Sequence, residues 1–192
     1  MADGIAILIL AGGNARRFPG KLERTIGGAP MIVRVYDAMR ATARPVYVAG
    51  KGTFPPAIDA RLECPLLVDR RPGSGPLSAL ISACGTIAHE RVFAIAADEP
   101  LVDASVLERL ADAWQPGDRA AVPEHDGRIE PLAALYATSS VLHEGFTLAG
   151  QDRASMHDLI ERLDARRVPV PGRYFANVNT PADLRRAGAA LA

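Results

Sequence analysis

IAILILAGGNARRFPGK, residues 5–21, is the stretch that decides the fold. Ile5–Leu10 is an unbroken apolar run, too short for a buried helix and without the alternation of a half-exposed strand. It reads as a strand buried on both faces, as in a parallel sheet. Gly12 and Gly13 follow at once, then Arg16, Arg17 and Lys21. A buried strand that opens into a glycine-rich cationic loop can lay backbone N–H groups and side-chain charges against a polyphosphate. Of the 22 Lys and Arg residues only Lys21 and Lys51 are lysine. Elsewhere this chain writes positive charge as arginine, so Lys21 marks a place for a compact ammonium rather than a planar guanidinium. The plainer alternative is a solvated loop charge.

Outward from this stretch, strand and helix signals alternate. Short Val-, Ile-, Leu- and Ala-rich runs at 46–49, 66–68 and 92–96 join 5–10 as strands, and helical spacing covers 30–42, 76–88 and 104–114. Pro30 and Pro76 suit the first turn of a helix, where a missing N–H costs nothing, and Asp103 suits an N-cap. This rhythm predicts an α/β fold, a Rossmann-like three-layer α/β/α sandwich on a mostly parallel sheet. In the second half, 119–123 and 129–136 read as strands joined by a turn at Asp126-Gly127, an antiparallel addition to the sheet, with His125 exposed in the turn. Helices are expected at 138–149 and 154–164, and a last one, capped by Thr180 with Pro181 in its first turn, runs to the C-terminus. With no repeat, low-complexity tract or linker, residues 1–192 read as a single domain.

The bulk properties narrow the function classes. Hydrophobic residues make up 48% and charged residues 23%, the balance of a globular protein, and the formal net charge of zero argues against a nucleic-acid partner, which needs a basic face. The apolar run 5–10 is too short to cross a membrane, so no membrane association is expected. Cys64 and Cys84 form no disulfide or zinc pattern, and a reducing cytoplasm is the expected location.

Ligands of open α/β sheets sit at the carboxyl ends of the strands. Three loops leave those ends, 11–21, 69–75 and 97–100, and they converge on one crevice. The first is neither G-x-G-x-x-G nor the P-loop G-x-x-x-x-G-K-[ST], since Asn14 follows Gly13 and Leu22 follows Lys21. In the second, Gly73 and Gly75 precede a Pro-started helix and let backbone approach a ligand; a ligand-free turn is the alternative. In the third, Asp98 ends a buried strand. A carboxylate there suits Mg²⁺, which takes one or two carboxylates plus substrate phosphates; a plain turn residue is the alternative. Glu99 beside it reads as exposed. Asn177 and Asn179 alternate with Val178, which turns both amides to one side of an extended segment, and Thr180 and Asp183 read as helix capping.

LAGGNARRFPGK (10–21) resembles the signature of nucleotidyltransferases with L-A-G/A-G, a spacer, an arginine and a lysine, in the form found in the molybdenum cofactor guanylyltransferase family. DRRPGSGPL (69–77) is similar to that family's D-x-x-P-G-x-G-P-L-A-G, with Ser78-Ala79 for Ala-Gly. ADEP (97–100) resembles its D-x-P segment, with Glu99 for the usual Thr or Met, and Asn177–Leu184 resembles its N-x-N-T-P-x-D-L. The chain departs from the family in a shorter loop with no aspartate before Lys21, and in Val48-Ala49-Gly50-Lys51, where many members carry an asparagine.

The resemblance implies the fold of nucleotide-diphospho-sugar transferases and a role for each residue. Arg17, Lys21 and Asp98 would be catalytic. Leu10, Ala11, Gly12, Gly13, Asp69, Gly75 and Pro76, with Arg17, Lys21 and Asp98, would bind the nucleotide. Asp98 and Asn179 would hold Mg²⁺, and Glu130, Arg153 and Asn177 would meet the acceptor, an ordinary surface arginine being the alternative for Arg153. The implied reaction is transfer of GMP from GTP to molybdenum-bearing molybdopterin, with release of pyrophosphate. Cytidylyl transfer, or another small phosphorylated acceptor, is the alternative among enzymes; an idle nucleotide-binding subunit is the alternative outside them.

Overall fold

All six residues of the opening run form β1 (Ile5–Leu10), and all are buried. The computed structural model describes residues 4–12, 18–50, 53–68, 75–149 and 154–191. After β1 come a small hairpin, β2 (Thr25–Ile26) and β3 (Ala29–Pro30), then α1 (Met31–Arg40), β4 (Val46–Gly50), the single turn α2 (Pro56–Asp59) and β5 (Leu66–Val68). The middle holds α3 (Gly75–Cys84), β6 (Arg91–Ala96) and α4 (Ala104–Ala113). The last third holds β7 (Ala120–His125), β8 (Arg128–Ile129), β9 (Ala133–Ala137), α5 (Thr138–Ala149), α6 (Met156–Arg162), β10 (Arg166–Pro169) and α7 (Pro181–Ala190).

The main sheet runs β10-β7-β9-β6-β1-β4-β5, with β8 paired to β7 at the side. β1 is parallel to both β4 and β6, β4 to β5, and β10 to β7. β9 alone in that path runs antiparallel to its neighbours β6 and β7. Alternate residues of β1 feed opposite layers, as the two-residue repeat of a strand requires. Ile5, Ile7 and Ile9 pack with Ile32, Val35 and Met39 of α1 and Leu107 of α4. Ala6, Leu8 and Leu10 pack with Leu77 and Leu80 of α3, Val141 of α5 and Leu159 of α6. The expected three-layer α/β/α sandwich with an antiparallel addition is therefore the observed fold.

Several boundaries differ from the sequence reading, each for a local reason. The expected strand 129–136 is split into β8 and β9, because Pro131 carries no N–H for the ladder, although the Glu130 N–H still donates to the Pro123 carbonyl (3.0 Å) and the Leu132 carbonyl accepts from the Ala96 N–H (2.8 Å). Helix α3 stops at Cys84, one residue before Gly85, rather than at 88. Pro30 is the N-cap of α1, in extended conformation, not its first helical residue. Among the described residues, no helix is long and apolar enough to cross a membrane.

Candidate active site at the carboxyl ends of the strands

Three segments far apart in sequence meet beyond the carboxyl ends of β1 and β6. The first begins with Phe18, buried in a satellite apolar cluster with Ile26, Met31, Val178 and Ala187. Gly20 then takes the left-handed conformation, φ 67°, which a side chain would strain, and Lys21 opens a short 3₁₀ turn. The second is the turn after β6, where the Ala97 N–H donates to the Leu10 carbonyl (3.0 Å) and the Glu99 N–H to the Ala96 carbonyl (3.2 Å). The third is the extended segment before α7. Its Val178 N–H donates to the Asp98 carbonyl (2.9 Å), while the Val178 side chain turns into the satellite cluster with Phe18.

That cluster therefore fixes the lysine loop and the asparagine segment against each other. Lys21 Nζ donates to Asp98 Oδ2 at 2.5 Å and to Asn179 Oδ1 at 2.9 Å. The Asn179 backbone is pinned in turn: its N–H donates to Asp183 Oδ2 at 3.0 Å, and the Thr180 hydroxyl caps α7 by accepting from the Asp183 N–H. Thr180 and Pro181 thus stand at the expected cap and first-turn positions.

Beside this cluster lies a cavity of about 400 Å³, walled by Pro76, Leu77, Ile129, Pro131, Leu132 and Met156. Its polar lining includes Glu99, Glu130, Asn177, Ser155 and His157. Ser155 caps α6 in a reciprocal box with Asp158, which holds that wall in place. Gly75, at the start of α3, has φ +86° and open space where a Cβ would stand, so its backbone is bare.

Two readings from sequence are corrected here. Glu99 is not exposed: it is 1% accessible. Burial, together with the Asp98 and Glu130 carboxylates nearby, raises its pKa well above the usual carboxylate range, and a hydrogen bond from Asn177 opposes this. His125 is not an exposed turn residue either. It ends β7, its ring stacks on Phe175 (centroids 5.2 Å apart, planes 13° apart), and its Nε2 lies 2.9 Å from Glu130 Oε1. The turn itself is Asp126-Gly127, both at positive φ.

Of the other residues singled out from sequence, Leu10, Ala11 and Gly12 leave the carboxyl end of β1, with the Ala11 N–H donating to the Ala49 carbonyl at 2.7 Å. Gly75 and Pro76 line the cavity together with Glu130 and Asn177. Gly13, Arg17, Asp69 and Arg153 lie outside the described residues. Glu99 escaped the sequence reading as a residue lining the cavity, and His125 as a partner of Glu130. Their sole signal was proximity to Asp98 and Glu130, since an isolated carboxylate or imidazole in a turn gives no hint of burial.

A probable molybdenum cofactor guanylyltransferase of Mycobacterium avium is 32% identical, covering 96% of each chain. A molybdenum cofactor guanylyltransferase of Cereibacter sphaeroides is also 32% identical, over 96% of this chain and 95% of its own. Among solved structures, the molybdopterin-guanine dinucleotide biosynthesis protein A of Archaeoglobus fulgidus superposes with a TM-score of 0.79 at 27% identity, covering 96% of this chain and 97% of its own. The family model of the MobA-like NTP transferase domain matches residues 7–168. The chain belongs to the MobA-like NTP transferase family.

Proposed function

We propose that this chain transfers GMP from GTP to molybdenum-bearing molybdopterin, releasing pyrophosphate, and that residues 1–192 act as one nucleotidyltransferase domain. The observation that carries the reading is the meeting of Lys21, Asp98 and Asn179 at one point beside a cavity large enough for an acceptor. The relatives named as molybdenum cofactor guanylyltransferases supply the substrate pair.

An oxygen of the acceptor phosphate attacks the α-phosphorus of the nucleotide. A new P–O bond forms as the bond to pyrophosphate breaks, and pyrophosphate departs with the electron pair. The acceptor phosphate is already ionised near neutral pH, so the protein needs no general base. Its task is positioning and neutralisation of charge. Lys21, on a turn clamped by Phe18 and Gly20, holds a positive charge at the mouth of the crevice. Arg17 is assigned to the same role, and Leu10, Ala11, Gly12, Gly13, Asp69, Gly75 and Pro76 to the nucleotide. Glu130, Arg153 and Asn177 are assigned to the acceptor.

The residues present fit a divalent cation. A carboxylate oxygen of Asp98 and an amide oxygen of Asn179 converge on one cationic atom, Lys21 Nζ, an all-oxygen donor pair suited to Mg²⁺ completed by phosphate oxygens. Held by Asp98 and Asn179, Mg²⁺ would neutralise charge on the phosphates and polarise the α-phosphoryl group. The zero net charge of the chain fits small-molecule substrates rather than nucleic acid, and a cytoplasmic location away from membranes is part of the same proposal.

Pyrophosphate release tests this reading, with GTP, CTP, ATP or UTP offered with Mg²⁺ and molybdopterin. GTP-dependent release with formation of the guanine dinucleotide supports it. Release with CTP alone makes the chain a cytidylyltransferase. No release with any nucleotide replaces the enzyme by a nucleotide-binding subunit.

A further inference from the structure

The cavity beside Asp98 contains a side chain to which no function has yet been given. Glu99 is 1% exposed, and its Oε2 has no hydrogen-bond partner among the described residues. Leaving a buried carboxyl oxygen unpaired is costly, and such a group persists where a ligand completes it. The backbone on either side is rigid: the Glu99 N–H donates to the Ala96 carbonyl and the Glu99 carbonyl accepts from the Val102 N–H (both 3.2 Å). Glu99 is among the residues that line the cavity, together with Asn177 and Glu130.

The walls indicate what fits. Pro76, Leu77, Ile129, Pro131, Leu132 and Met156 make an apolar slot, and the polar groups are concentrated in Glu99, Glu130 and Asn177. Two carboxyls and an amide held close together present several acceptor oxygens, and N–H donors of a ligand favour the ionised carboxylate that burial disfavours. A flat heterocycle with neighbouring N–H donors on one edge complements such a site. The 2-amino-4-oxopyrimidine edge has this pattern, with a ring N–H next to an exocyclic amine. Both guanine and the pterin ring carry it. Position separates the two sources. The cavity is lined from α3, the β8–β9 stretch, α6 and Asn177; of the described residues assigned to the nucleotide only Gly75 and Pro76 line it, and none of those on the β1 loop does.

We propose that Glu99 is a specificity-determining residue of the acceptor site, accepting hydrogen bonds from the amine-bearing edge of the pterin ring. The inference rests on the proposed function for the choice of a pterin acceptor, and it adds the atom that reads the ring. An unpaired buried acceptor discriminates strongly against a ligand that lacks the matching donor.

The test uses the whole chain and three probes: 6-hydroxymethylpterin, 6-hydroxymethyl-lumazine, which has an oxygen in place of the amine, and GTP with Mg²⁺. Binding of each is measured by calorimetry or by quenching of probe fluorescence. The wild type should bind the pterin at least about tenfold more tightly than the lumazine. This comparison needs no variant. In Glu99→Gln the shape is kept while one of the two carboxyl oxygens becomes an NH₂ donor. Pterin affinity should fall about tenfold or more, discrimination against lumazine should collapse, and GTP affinity and the thermal midpoint should stay within error. Equal binding of pterin and lumazine by the wild type, no binding of either, or unchanged pterin affinity in Glu99→Gln overturns the proposal. A GTP affinity that falls with the pterin affinity also overturns it, since the edge read would then be guanine. The proposed reaction fails separately. Glu99-dependent pterin binding without pyrophosphate release sinks the reaction and leaves the ring-reading role, and pyrophosphate release that ignores Glu99→Gln does the reverse.

Discussion

Lys21 Nζ and Asp98 Oδ2 stand 2.5 Å apart although 77 residues separate them in the chain. The same nitrogen reaches Asn179, 158 residues away, at 2.9 Å. The lysine thus occupies the point on which the two assigned metal donors converge. Under the proposed function this is the place a divalent cation would take, and the ammonium would turn to the phosphates once substrate is bound.

Lys21→Arg should therefore lose most activity. A guanidinium is planar and broad, and it cannot sit as a point charge between two oxygens separated by a single nitrogen. A fall of about 100-fold in kcat/KM is expected, the size typical of losing one group that stabilises developing charge. Pyrophosphate release under steady-state conditions reads it. Full activity would show that positive charge alone suffices at this position.

Lys21→Met should separate metal binding from catalysis. Without the ammonium, Asp98 and Asn179 have no cation between them, and Mn²⁺ should bind the nucleotide-free protein roughly tenfold more tightly. Electron paramagnetic resonance titration of free Mn²⁺ measures this directly. Asp98→Asn should act in the opposite sense, with Mn²⁺ binding lost and turnover reduced about 1,000-fold while the thermal midpoint barely moves. Near-normal activity in Asp98→Asn would remove Asp98 from the metal role.

Much of this was legible in the sequence, for physical reasons that differ by element. β1, β4, β5 and β6 are apolar runs buried in a parallel sheet, so composition alone marks them, and their observed bounds lie within a residue of the expected ones. Helices α4 and α7 announce themselves by Asp103 and Thr180, whose side chains accept from N–H groups of the first turn. β10 gave no such signal. Its sequence RRVP buries only Val168, at the edge of the sheet, and its place is set by β7 and by Arg166 pairing with Asp118. Asp98 and Asn179 could be singled out because both sit in recognisable motifs and Asp98 follows a buried strand, and the structure brings both to Lys21 Nζ. Glu99 was not, since its burial depends on Glu130, Asn177 and the α6 wall, which reach it from distant parts of the chain.

The Asp183 and Thr180 cap carries a prediction that joins stability to the site. Thr180→Ala removes the hydroxyl that accepts the Asp183 N–H, and it frees the carboxylate that holds the Asn179 backbone. The loss in unfolding free energy should be about 1 kcal/mol, as for other N-caps. A structural role alone predicts unchanged turnover in the folded fraction. Loosening of Asn179 predicts a higher Mg²⁺ requirement as well, read from rate against Mg²⁺ concentration.

Asp118 should contribute to the acid side of the stability profile. Arg166 donates to both of its oxygens, at 2.6 and 2.9 Å, and with the Gln115 N–H it holds the carboxyl below its usual pKa, against a smaller opposing effect of burial. A depressed pKa in the folded state means that the unfolded chain binds more protons. The stabilisation is therefore complete above the unfolded value of about 3.9 and is lost as pH falls through the folded one. Asp118→Asn should lower stability at pH 7 and flatten the profile between about pH 5 and pH 2. Urea midpoints across that range measure both. A variant with the wild-type acid slope would show that the pair contributes nothing there.

Gly145 tests the packing behind the cavity wall. It lies on α5, and a Cβ built there would stand 2.6 Å from Ile81 Cγ1 on α3, far inside contact distance. Ile81 is itself buried and has little room to turn. Gly145→Val places a branched side chain at this crossing, so α5 and α3 must separate. Overpacking of this kind costs about 1–3 kcal/mol, more than the modest gain in helix propensity returns. The urea midpoint should fall with an unchanged slope. Because α3 begins at Gly75 and Pro76, which line the cavity, the displacement should also weaken binding of 6-hydroxymethylpterin while leaving Mn²⁺ binding at Asp98 unaffected. An unmoved midpoint would mean that the two helices yield freely, and that the wall they form is soft.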